Sequence, residues 1–152
     1  MEFFEAIEQI GPVRLLKASF FAYPVVNAAH IMAVGALLTS VVLLDLRLVG
    51  ALASLPKAAF VSIFRRIAVG AFAVAALTGL ALFSVKASEY AVMPVFLLKM
   101  GLIAAALANF LGFAVLQRRG GDDDSSALRA AALASIGLWL SVLLCGRFIG
   151  FV

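Results

Sequence analysis

Two ionisable side chains stand inside runs that are otherwise apolar, and they bound the chemistry open to this chain. Lys99 interrupts Val95-Phe96-Leu97-Leu98 and Met100-Gly101-Leu102-Ile103. His30, the one histidine in the sequence, sits within Ala28-Ala29-His30-Ile31-Met32-Ala33. An imidazole can ligate a transition metal or act as an axial ligand to haem iron. A lysine amine ligates only when neutral, and otherwise offers a charge or a hydrogen-bond donor. Tyr23 and Asn27 precede His30 at spacings that put all three on one face of a helix. Copper finds a thin ligand set in one imidazole with Met32 and Met100 as the only local thioethers. A proton relay would favour a carboxylate at the same depth, and none is there. Cys145 is the single cysteine, so an intramolecular disulfide is excluded.

The segments that must position these residues read as membrane spans. The 152 residues are 65% hydrophobic and only 13% charged, against about 25% charged in a soluble domain. Mean hydropathy is +1.16. Apolar blocks at 18–44, 67–85, 91–116 and 130–149 are each long enough to cross about 30 Å of hydrocarbon as a helix. Strict two-residue alternation is absent, which excludes a transmembrane barrel. Backbone groups in lipid must bond within their own segment, and helices remain. The sequence predicts an all-α, integral membrane four-helix bundle forming a single membrane domain over residues 1–152. Its spans fall at about 19–44, 64–85, 91–116 and 128–149.

Charge placement orients these spans. Arg47, Lys57, Arg65, Arg66, Arg118, Arg119 and Arg129 fall beside one set of loops, and Arg14, Lys17, Lys86 and Arg147 beside the other. The bias places both termini in the periplasm of a bacterial inner membrane. The net charge of +4 is dispersed over loops and forms no basic stripe, so a nucleic-acid partner is not expected. Glu2, Glu5 and Glu8 replace the basic start of a signal peptide. Phe3, Phe4, Ile7 and Ile10 share a face, which predicts a short N-terminal interfacial helix over 2–10, stopped by Gly11-Pro12. The short connection 86–90 makes spans two and three antiparallel neighbours. Gly35, Gly70, Gly79 and Gly101 are placed for close approach between helices. Asp45 can pair with Arg65 or Arg66, and Asp122-Asp123-Asp124 reads as a solvated turn capping span four.

Antiparallel alternation sets the two unusual groups at similar depth. His30 lies roughly 15 Å and Lys99 roughly 12 Å from the same membrane face. A charge near mid-membrane costs about 2.5–3.5 kcal/mol on insertion scales. Two readings follow. In one, His30 and Asn27 bond across helices as packing contacts while Lys99 snorkels. In the other, a cofactor or ion site lies between spans one and three.

The sequence His30-Ile31-Met32-Ala33-Val34-Gly35, leading to Leu46-Arg47-Leu48, resembles span one of the four-helix membrane protoporphyrinogen IX oxidases. More loosely, it is similar to the copper-resistance D family. Thr78-Gly79-Leu80 and Leu97-Leu98-Lys99-Met100-Gly101-Leu102 resemble the glycine helix and the lysine helix of the oxidases. The resemblance implies a b-type haem with His30 and Lys99 as the functional pair and His30 as the metal ligand. Arg147 would then be placed to meet haem propionates, and Asn27 joins the candidate set from the face of His30. The alternative class is a transport or accessory subunit whose His30 and Lys99 line a polar path for copper, protons or a small solute. The expected partners are the bilayer and either a second copy or a larger membrane complex. A bis-histidine haem would need a two-fold interface, whereas a His30–Lys99 site fits within one monomer.

Overall fold

A computed structural model describes residues 2–118 and 126–151, and every regular element among them is helical. The order is α1 (Glu2–Glu8), α2 (Gly11–Ala18), α3 (Ala22–Leu48), α4 (Lys57–Val85), α5 (Ala87–Tyr90), α6 (Pro94–Arg118) and α7 (Ser126–Phe148). Helices α3, α4, α6 and α7 are long and apolar enough to cross a membrane. Their bounds match the expected spans to within a few residues, except that α4 begins at Lys57.

Proline and glycine set most of the boundaries. Pro12 stands in the first turn of α2, where its missing N–H is tolerated and its fixed φ favours the helix. Gly11-Pro12 therefore starts a second short helix, a correction to its reading as a stop. Ser19 Oγ accepts the Ala22 N–H at 3.0 Å in the turn into α3. At the other end of α3, Gly50 adopts φ 93°, a left-handed conformation that suits glycine. Its N–H bonds to the Arg47 carbonyl, and the Ala51 N–H bonds to that of Leu46 at 3.0 Å. This double closure satisfies carbonyls the helix leaves open. Pro56 and Pro94 mark the starts of α4 and α6.

The four long helices pack as two hairpins, α3 with α4 and α6 with α7, joined through α3 against α7. Helices α4 and α6 do not pack along their length, although a short connection links them. The expectation of adjacent second and third spans is corrected: α5 and the turn around it lie between them, and the Phe83 and Phe96 rings meet at one end. That end carries α1, α2, α5 and the close of α7, and is called the terminal end below.

The buried row of α3 runs Ala33, Leu37 and Ser40, with Val26, His30 and Leu44 half-buried in the same alternating steps of four and three. Ala68, Ala75 and Val85 on α4, Ala87 on α5, Ala106 on α6, and Leu128, Ala132 and Val142 on α7 add to the interior. Small side chains let the helix axes approach closely. Glycine contributes less than expected: Gly35, Gly70 and Gly101 face open space, and among those four only Gly79 meets a neighbour.

Candidate cofactor site

His30 is held on α3 against α4. Its Nδ1 lies 2.9 Å from Thr78 Oγ1. The Thr78 hydroxyl donates its own hydrogen to the Val74 carbonyl, 2.6 Å away and one turn back on α4. That commitment makes Oγ1 the acceptor and the imidazole Nδ1–H the donor. The Ala75 carbonyl is also within hydrogen-bonding reach of the ring. In the neutral imidazole the lone pair then belongs to Nε2, the arrangement used by histidines that ligate a metal. Gly79 makes room for the ring, since a Cβ there would stand 3.1 Å from Cε1.

Lys99 is half-buried on α6 and leans against α7. Its Nζ would lie 3.4 Å from a Cβ at Gly146, and Cys145 is also in electrostatic range. His30 and Lys99 interact electrostatically, so the bundle brings the two side chains into one region. They nevertheless rest on different partners, His30 on α4 and Lys99 on α7. His30 lies about 12 Å into α3 and Lys99 about 7.5 Å into α6, at 1.5 Å per residue. The lysine is thus roughly one turn nearer the terminal end.

The other expected members of the set are placed elsewhere. Asn27 is exposed, because it sits one residue off the buried row of α3. Tyr23 is 38% exposed and lies within electrostatic range of Tyr90. Arg147 is exposed near the end of α7, with its guanidinium 4.5 Å from the centroid of the Phe151 ring. The arrangement suits a cation–π contact. Asp45 bonds to Ser135 of α7 and not to the expected Arg65 or Arg66, which are exposed. It is only 7% exposed, and among the described residues its Oδ2 has no hydrogen-bond partner. Asn109 Nδ2 donates to the Ala131 carbonyl at 3.0 Å and ties α6 to α7. Asp122, Asp123 and Asp124 lie outside the described residues.

Polar contacts at the terminal end fix the short helices. Glu8 Oε1 accepts both the Ser88 N–H at 2.9 Å and the Ser88 O–H at 2.6 Å. These bonds, aided by Lys17 and Lys86, hold the Glu8 carboxyl below its ordinary range. Lys86 pairs with Glu89 at 2.8 Å, which raises its ammonium above the usual value. Burial, with the Tyr23 phenol nearby, pushes the Tyr90 phenol up.

Thr78, Gly79 and Gly146 were not singled out as partners from spacing alone. Thr78-Gly79 offers a hydroxyl and a gap at the depth of His30, a signal that a depth comparison of α3 and α4 could have used. Among the described residues no three His, Cys, Asp or Glu side chains converge to hold a metal ion. Compared with known protein families, curated proteins and solved structures, the chain matches none.

Proposed function

We propose that this chain is an integral membrane b-type haem protein with redox or porphyrin-related chemistry. His30 Nε2 would hold the haem iron, and the Lys99 amine would be a second ligand or a polar partner. The observation that carries this reading is the Thr78 bond, which fixes the imidazole through Nδ1 and leaves the Nε2 lone pair uncommitted. Support also comes from the α4–α6 gap. To serve as a ligand, the Lys99 amine would have to leave Gly146 and turn toward the imidazole. When bound, haem supplies an iron centre for one-electron transfer. The protein's part is to hold the imidazole, exclude water and retain the amine nearby.

The same reading takes the four apolar helices as spans of a bacterial inner membrane, with both termini periplasmic. The basic loop bias supports that orientation.

Absorption spectra of detergent-purified protein, oxidised and reduced, test the proposal. A Soret band that is lost in His30→Ala is expected. A colourless protein that haemin does not titrate, or a band unchanged in His30→Ala, overturns it. Flux of copper, protons or a solute through such a colourless protein, abolished by Lys99→Met, would instead establish a polar path.

A further inference from the structure

Helical register sets an aromatic pair over the candidate site. Phe83 stands four residues beyond Gly79 on α4, and Phe96 three residues before Lys99 on α6. Each ring therefore occupies the same helix face as the site residue, one turn nearer the terminal end. The two rings meet across the α4–α6 gap, stacked with centroids 5.3 Å apart and 18° between planes. Tyr90 of α5 stacks on both, 6.3 Å from Phe83 and 5.6 Å from Phe96. Since α4 and α6 do not pack along their length, this stack is what spans the gap between them.

The stack is covered in turn by α1. Phe4 meets Phe83 edge-on, with centroids 6.2 Å apart and planes at 87°. The tie that locates α1 is polar: Glu8 Oε1 accepts the two Ser88 hydrogen bonds, joining positions 80 residues apart in sequence. Lys17 Nζ lies 3.9 Å from Glu8 Oε2, while Lys86 is engaged by Glu89.

We propose that Phe83, Phe96 and Tyr90 form a gate over the His30–Lys99 region, and that α1, latched by Glu8 to Ser88, holds it shut. The inference rests on reading His30 and Lys99 as a ligand site. Rings stacked across an unpacked gap keep water from the polar pair below without binding the helices into one rigid contact. The latch is polar and peripheral, whereas the spans are held by their own seams. Losing it frees α1 and leaves the hairpins intact.

Lys99 itself reports the gate, with no bound group required. It is one of four lysines, beside Lys17, Lys57 and Lys86. Acylation by a water-soluble amine reagent, mapped by peptide mass spectrometry, measures access to each. Glu8→Gln and Phe83→Leu should each speed Lys99 acylation by about threefold or more, as local opening rises. Lys57, remote from the latch, serves as the internal reference. Ser88→Ala removes only the hydroxyl donor and decides the matter where another variant misfolds. Unchanged Lys99 acylation in the folded variants overturns the gate, whatever haemin does. Faster acylation in proteins that never develop a Soret band upholds the gate and removes the haem reading. Faster acylation with faster haemin uptake supports both.

Discussion

Gly79 faces the edge of the His30 imidazole so closely that a methyl group there would stand 3.1 Å from Cε1. The ring cannot simply retreat, because Nδ1 is tied to Thr78 at 2.9 Å. Gly79→Ala is therefore expected to destabilise the protein by about 1 kcal/mol, the low end for overpacking. Gly146→Ala meets only the flexible end of Lys99 at 3.4 Å and should cost far less. Gly35→Ala, with open space around it, is the control. Unfolding in SDS titrations measures all three, and equal losses at Gly79 and Gly35 would refute the tight contact.

Thr78 is a positioning residue. Thr78→Val keeps the shape but leaves the imidazole N–H without its hydroxyl partner, and such losses cost about 10–100-fold in metal affinity. Haemin affinity, read from Soret titrations, should fall about tenfold. Thr78→Ser retains the acceptor and should restore most of it. Equal affinity in wild type and Thr78→Val would show that the hydroxyl does not orient the ring.

The latch carries a pH signature with a definite sign. Ser88 and, less strongly, Lys17 and Lys86 hold the Glu8 carboxyl below its ordinary value of 4.5. Stability from a depressed carboxyl is fully present above that ordinary value and is lost as pH falls through the lowered one. Glu5 on α1, Arg14 and Lys17 on α2, Lys86 before α5 and Glu89 within it are the other charges nearby. Hydrogen exchange of residues 2–8 should stay slow from neutral pH down to about 4.5 and quicken below it. In Glu8→Gln it should be quick at every pH. Loss of protection near pH 6.5 would point to another group.

Asp45 and Ser135 form a polar clasp in the α3–α7 seam. Ser135→Ala leaves a buried carboxyl without its donor, at a cost of about 1–3 kcal/mol. Asp45→Asn keeps a polar partner for the serine and should be nearly neutral. SDS unfolding separates the two, and a neutral Ser135→Ala would mean that water already serves the carboxyl.

The four long helices were legible because each apolar run is long and lacks the two-residue alternation of a strand. Their neighbours were not. Apolar residues surround α3 on every side, so hydrophobic periodicity carries no information about which face meets α4 or α7. Asn27 shows the consequence: it shares a coarse face with His30, yet one residue of register leaves it exposed. Gly11-Pro12 has the composition of a stop and serves as a start, since proline is as well placed in a first turn as after a last one. His30 and Lys99 stood out by their cost in an apolar setting. Their partners Thr78 and Gly146 are ordinary residues whose roles appear only with the packing.

The α3–α7 seam acts as the spine of a book whose two covers are the hairpins. A group that reached from the α3 imidazole to the α6 amine would bridge both covers at a distance from that spine. Its loading would therefore register mechanically, as a greater force needed to draw one hairpin from the other.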